Sequence, residues 1–283
     1  MSIRPSLFPR AQFESVARDF RAGRLSLAEF ANRFYATSDS RGQETTEIPR
    51  GGQSVCLDAD RVARCGFPEV IFGQGKTYDA ICQAIDGLTR HGQAALVTRL
   101  PAEFSADLAS RYTGARYHAE ATTFAVGRCE PIAEARVAVV TAGTCDYAVA
   151  AESAETLRWM GIDPIVIQDV GVAGPQRLPP HLARLAACHA VVVVAGFEGA
   201  LPSVVGGHVD CPVIGVPSSA GGTGLWPGFV PLMAMLNSCA PNVTVVNIDG
   251  GFKAGYLAGL IARAATRPRF EPKELIPRQA VTS

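Results

Sequence analysis

Two carboxylates and a thiol stand out in a stretch that is almost empty of charge. Between Leu185 and Phe252 only Glu198, Asp210 and Asp249 carry full charges. A carboxylate in such surroundings can bind a cation such as Mg2+, accept a hydroxyl or move a proton. Glu198 and Asp249 each follow an apolar run, whereas Asp210 precedes one and reads as a turn residue on the far edge. Cys239, in LNSCAPN, is a candidate nucleophile, because a thiolate reacts when its setting is polar or ligand-bearing and a buried thiol does not. Spacing alone does not separate it from the other cysteines: the eight include no C-x-x-C pair and no zinc-ligand spacing with the five histidines. Lys76 is one of three lysines among 26 basic residues. Its point charge suits a phosphate or carboxylate, with a solvated surface position as the alternative.

Such groups need a scaffold, and the apolar pattern supplies one. Val-rich runs at 137–141, 165–170, 191–195, 213–216 and 243–248 alternate with helical stretches at 147–160, 180–188, 203–207, 228–238 and 252–265. Runs that are apolar on both faces, separated by helices, predict a doubly wound parallel sheet in an α/β domain. Ligands of such sheets bind outside the carboxyl ends of the strands. The loops there are rich in glycine, which lets backbone N–H groups approach a ligand. Candidate binding residues are Gly143, Thr144 and Asp146 in TAGTCD, Gly174 in DVGVAG with Arg177 beyond it, Gly196 and Gly199 in AGFEGALPS, Ser218 and Gly221 in VPSSAGGTG, and Asp249 in NIDGG. For Asp146 a helix-capping role is an equal alternative. No P-loop and no dinucleotide fingerprint is present.

Ahead of this domain the chain predicts a smaller α/β unit over 56–132, with strands at 70–72, 94–98 and 122–126 and helices at 78–91 and 101–111. Residues 1–55 read as two helices over 12–36 and a polar linker over 37–55. The catalytic domain runs from 133 to 265, and 266–283 reads as a tail. A hydrophobic fraction of 48% rules out a disordered chain. A net charge of zero gives no basic excess for nucleic acid or an anionic membrane. The absence of a signal-like or membrane-spanning run predicts a cytoplasmic protein. The charge-poor stretch 185–252 predicts a homo-oligomer, a tetramer or octamer, whose interfaces cover surface that a monomer does not expose.

Several long strings resemble one family. GFPEVIFGQGKT (66–77), AGTCDYAVAAESAETLRWMG (142–161), AGFEGALPSVVGG (195–207) and LNSCAPNVTVVNIDGGF (236–252) are similar to the LarB family. Those enzymes are pyridinium-3,5-biscarboxylic acid mononucleotide synthases of nickel-pincer cofactor synthesis. The second half also resembles the AIR carboxylases (PurE), which implies a flavodoxin- or Rossmann-like sheet. The resemblance implies carboxylation of nicotinic acid adenine dinucleotide with CO2 or bicarbonate, followed by hydrolysis of its phosphoanhydride. It implies that Cys239 adds to the ring and that Glu198 assists proton transfer or hydrolysis. Four loops depart from the family pattern. Cys145 stands where the family has serine, Gln176 where it has histidine, and SSAGG and IDGGFK replace its S-V-G-Y-G and I-D-N-G-F-G strings. Two other readings therefore stay open: an AIR carboxylase-like enzyme acting on a ribonucleotide, and a nucleotide-binding paralogue without this chemistry.

Overall fold

The computed structural model describes residues 18–26, 29, 43–45, 56–221 and 226–267. Residues 18–21 are helical. The rest of the two helices expected over 12–36, most of the linker, Gly222 of the VPSSAGGTG loop and residues 268–283 lie outside the described residues. The linker expectation needs one correction. Within it, β1 (Gln43–Thr45) pairs antiparallel with β2 (Cys56–Asp58).

The N-terminal unit is a four-stranded mixed sheet in the order β3-β4-β6-β5. Its strands are β3 (Val70–Phe72), β4 (Ala95–Thr98), β5 (Arg116–His118) and β6 (Thr123–Val126). Around it lie the helices α1 (Arg61–Cys65), α2 (Tyr78–Arg90) and α3 (Ser105–Arg111). Helix α2 begins at Thr77, whose hydroxyl accepts the Ala80 N–H at 3.3 Å and satisfies one orphan donor of the first turn. Ile81, Ile85 and Leu88 recur at helical spacing and bury one stripe of α2 against Val97 and Phe124.

The C-terminal unit is a five-stranded parallel sheet in the order β11-β10-β9-β7-β8. Its strands are β7 (Val137–Thr141), β8 (Ile165–Ile167), β9 (Ala190–Ala195), β10 (Val213–Pro217) and β11 (Val243–Val245). The helices are α4 (Tyr147–Trp159), α5 (Leu182–Ala186), α6 (Leu201–Gly206), α7 (Phe229–Leu236) and α8 (Gly251–Thr266). Strand alternation explains the Val-rich runs. Val137, Val139, Val192 and Val194 face α4 and α8, while Ala138, Val140, Val191 and Val193 face α5, α6 and α7. Each wholly buried valine side chain contributes roughly 1.5–3 kcal/mol of hydrophobic stabilisation.

Helices α4 and α8 approach closely because Gly251, Gly255 and Gly259 form a stripe on α8 that faces α4. Ser153 of α4 donates a hydrogen bond to the Gly251 carbonyl at 2.7 Å. The two helices also carry the N-terminal sheet. Phe67, Leu96 and Ala125 pack on Trp159 and Met160, with Phe252, Tyr256 and Leu260 alongside. The pair is thus sandwiched between the two sheets, and this holds the end of β4 over the C-terminal domain.

Candidate active site

In the sheet order, β7 and β9 lie side by side and their chains leave in opposite directions. A crevice at the carboxyl end of such a switch point is where ligands of open parallel sheets bind. The turn after β7 places Asp146 in this crevice. Its Oδ2 accepts the Gly143 N–H at 2.9 Å, and the side chain is buried. Burial pushes the Asp146 carboxyl above its usual range, opposed by hydrogen bonds from Gly143 and the Ser218 hydroxyl and reinforced by the Asp249 charge. Ser218 is itself buried at the end of β10. Its neighbour Ser219 donates to Asp249 twice, N–H to Oδ1 at 2.9 Å and Oγ–H to Oδ2 at 2.6 Å.

The facing wall comes from the N-terminal domain. Arg99 follows β4, and its Nε donates to Glu152 Oε1 at 3.2 Å while Nη2 donates to the Asp249 carbonyl at 2.5 Å. Glu152 Oε2 accepts the Phe252 N–H at the start of α8, at 3.1 Å. Burial raises the Glu152 pKa, and the Arg99 charge pulls it back. Between the two walls lies a cavity of about 300 Å³, lined among others by Arg99, Thr122, Cys145, Glu152, Ser219 and Asp249.

Backbone strain gathers on this side of the molecule. Among the described residues the non-glycine positions with positive φ are Arg99 (53°), Thr122 (48°), Asp169 (57°), Phe197 (49°) and Asp249 (52°). Three of them line the cavity, and the other two follow β8 and β9. Each costs on the order of 1–3 kcal/mol and persists only where surrounding contacts enforce it.

The expected site residues divide into three groups. Gly143, Thr144, Asp146, Gly196, Ser218, Gly221 and Asp249 occupy the β7, β9, β10 and β11 ends of this edge, as the strand-end rule predicts. Glu198 is also on the edge, exposed after β9, but outside the cavity lining. Gly199 has φ 64°, and a Cβ there would meet the Pro231 backbone at 2.9 Å, so its role is to seat α7 against the β9 loop. Gly196 and Gly221 likewise let two loops touch, since a Cβ on Gly221 would lie 2.8 Å from the Phe197 ring.

Around β8, the Arg177 guanidinium folds back onto Asp169 at 2.8 Å and packs over Gly174, away from the cavity lining. Lys76 is half-buried in the turn between β3 and α2 and is likewise not a lining residue. Cys239 is exposed. The helix before it stops at Leu236, two residues short of the expected end, and the chain then reaches the amino end of β11. There Ser238 Oγ bonds Ser203 Oγ at 2.7 Å, and Asn242 holds the Cys211 carbonyl just before β10 at 3.1 Å. Within one protomer Cys239 and Asp146 therefore sit at opposite edges of the sheet.

Arg99, Thr122, Glu152 and Ser219 went unnoticed in the sequence, although Arg99 directly follows a parallel strand and the strand-end rule applies to it too. Among the described residues no group of three His, Cys, Asp or Glu side chains could hold a metal ion. The oxygens of Glu152 and Asp249 are already taken by N–H and O–H donors. No step is assigned to Mg2+. Among the described residues no helix is long and apolar enough to cross a membrane.

Comparison with known proteins agrees with this two-domain layout. A family model described as the LarB/PurE-like N-terminal domain matches residues 52–128, and one described as AIR carboxylase matches residues 136–273. An uncharacterized protein of Methanocaldococcus jannaschii, MJ0165, is 42% identical over 218 residues, covering 73% of this chain and 83% of that protein. Among solved structures, a Treponema denticola PurE2 variant shares 18% identity at a TM-score of 0.36, covering 48% of this chain and 80% of its own. An archaeal flavodoxin shares 18% at 0.30, covering 47% and 99%. With the N-terminal and carboxylase models matched in order and 42% identity to a relative spanned over most of its length, the chain belongs to the LarB family, with a PurE-like AIR carboxylase domain as its C-terminal half.

Proposed function

We propose that the protein carboxylates the pyridinium ring of nicotinic acid adenine dinucleotide with CO2 or bicarbonate and hydrolyses the phosphoanhydride. The products are pyridinium-3,5-biscarboxylic acid mononucleotide and AMP. The observation that supports this most is the interdomain cavity, where the Arg99 guanidinium, the buried Glu152 carboxylate, Asp249 and the Cys145 thiol meet beside the strand-end loops.

A pyridinium ring is electron-poor and does not attack CO2. A thiolate that adds to the carbon next to the carboxylation site forms a C–S bond and discharges the ring nitrogen. The enamine so formed makes the C–C bond to CO2. Loss of the proton on that carbon to a carboxylate, and expulsion of the thiolate, restore the aromatic cation. No oxidant or reductant is consumed, and hydrolysis then adds water across the phosphoanhydride. In this reading Glu198 assists proton transfer or hydrolysis.

Cys239 lies at the amino edge of its own sheet, so as nucleophile it serves the cavity of another copy in a homo-oligomer. An apolar face supports assembly. Trp226, Phe229, Val230, Met233 and Leu236 are all exposed on and beside α7, the helix that leads to Cys239. The geometry also favours a second reading. Cys145 is exposed and lines the cavity of its own protomer, where it could add to the ring in cis.

Peptide mapping of a ring adduct, with turnover of Cys239→Ser and Cys145→Ser, separates the two readings. Loss of carboxylation in Cys239→Ser alone supports the trans nucleophile, and loss in Cys145→Ser alone supports the cis one. Wild-type turnover by both variants rules out thiol addition and leaves the AIR carboxylase-like alternative.

A further inference from the structure

We propose that Arg99, carried in by the N-terminal domain, is the oxyanion anchor of the cavity and binds the carboxylate or phosphate of a zwitterionic nucleotide. This deepens the proposed function and rests on it. A guanidinium has five N–H donors in a fixed plane. Arg99 spends Nε–H on Glu152 at 3.2 Å and one Nη2–H on the Asp249 carbonyl at 2.5 Å. Three donors remain, and the side chain is 40% exposed where it lines the cavity.

The two bonds already made fix the plane of the fork. One acceptor is a carboxylate only 5% exposed, whose second oxygen is tied to the Phe252 N–H at 3.1 Å. The other is a main-chain carbonyl. A fork held in this way presents its free edge to a ligand with little ordering left to do, which is the arrangement that suits carboxylate and phosphate oxygens.

The charges around the cavity define the ligand further. Arg99 is the only cationic residue among the described residues that line it, and Glu120, Glu152 and Asp249 supply negative charge. Glu152 is committed to Arg99 and Phe252, and both Asp249 oxygens are held by Ser219. Unfilled charged-donor capacity is therefore concentrated on Arg99, while the surrounding field favours a positive body. A ligand that joins an oxyanion to a cationic ring satisfies both. The other cations singled out in the sequence do not compete: Arg177 is bound to Asp169, and Lys76 is not a lining residue. The N-terminal domain is thus part of the binding site and not only a cover for it.

The test is calorimetric binding of nicotinic acid mononucleotide, nicotinamide mononucleotide and nicotinic acid riboside to the wild type and to Arg99→Lys. Lysine keeps the charge beside Glu152 but loses the planar fork. Nicotinic acid mononucleotide should bind the variant roughly ten- to a hundredfold more weakly, the value of a charge-assisted hydrogen bond. A loss larger for this probe than for the amide mononucleotide supports an anchor for the ring carboxylate. An equal loss for both mononucleotides with none for the riboside supports an anchor for the phosphate. Unchanged affinities overturn the anchor, with or without a lower melting temperature, and leave Arg99 as a joint between domains. A wild type that binds none of the probes overturns both the anchor and the proposed function. If Arg99→Lys does not fold, the double variant Arg99→Lys/Glu152→Gln removes the buried carboxylate that needs pairing, and the same three comparisons decide.

Discussion

Asp146→Asn should make the protein more stable at neutral pH. The substitution keeps the shape and the bond from Gly143, and it reverses the direction of the bond to Ser218. An asparagine oxygen can accept the Gly143 N–H now bonded at 2.9 Å. Its amide can donate to Ser218 Oγ, which already accepts only the Ala220 N–H at 3.2 Å. What changes is the charge. Wild-type Asp146 is raised by burial first and by Asp249 as well, so keeping it ionised costs stability.

The sign follows from linkage. A folded-state pKa above the unfolded value gives stability that is present in acid and lost as pH rises through the folded pKa. The variant does not suffer that loss. Its advantage should be absent below the carboxylate range and grow as pH rises through the folded pKa, on the order of 1 kcal/mol, the scale of a typical single stabilising substitution. That corresponds to roughly 2–4 °C in melting temperature. Thermal unfolding followed by circular dichroism at a series of pH values measures it. A variant that is less stable than wild type at pH 7.5, or a gap that does not grow with pH, would refute the reasoning.

Three further outcomes follow from the same structure. Gly199→Ala puts a Cβ 2.9 Å from the Pro231 backbone at φ 64°, so it should lower stability by more than about 1 kcal/mol, read as a lower denaturation midpoint. Brief alkylation at pH 7.5 followed by peptide mass spectrometry should label exposed Cys56, Cys65, Cys145 and Cys239. It should spare Cys129 and Cys188, which burial pushes up to about 11; labelling of Cys188 as fast as Cys239 would contradict its buried position. Val230→Glu, on the exposed face of α7 at 64% exposure, should lower the molar mass of the proposed homo-oligomer in light scattering without unfolding the protomer, and an unchanged molar mass would place the proposed interface elsewhere.

The parallel sheet was legible because its signal is local. Valines that must be buried on alternating faces write an unbroken apolar run, and β7 begins and ends where its run does. The long runs at 165–170 and 243–248 shorten to Ile165–Ile167 and Val243–Val245, the edge strands leaving the ladder although β7 and β10 continue to Thr141 and Pro217. The strands β1, β2 and β5 were missed, being three-residue segments with no periodicity to read. The close approach of α4 and α8 depends on which face of α8 carries its glycines, and that face is fixed only by the partner helix.

At the carboxyl edge of the sheet, the strand-end rule placed Asp146, Ser218 and Asp249, of which Asp249 lines the cavity. It missed Arg99 and Glu152, which meet across a domain boundary more than fifty residues apart in the chain. It also could not show that Gly199 and Gly221 serve packing, or that Cys239 lies at the opposite edge from Asp146. Those facts depend on the direction in which each helix returns along the sheet.

The most direct test of the account is product analysis. Purified protein incubated with nicotinic acid adenine dinucleotide and carbon-13 bicarbonate should yield, by mass spectrometry, AMP and a pyridinium mononucleotide carrying one additional, labelled carboxyl group. Label that appears instead on an aminoimidazole ribonucleotide, or dinucleotide recovered unchanged after binding, would contradict it.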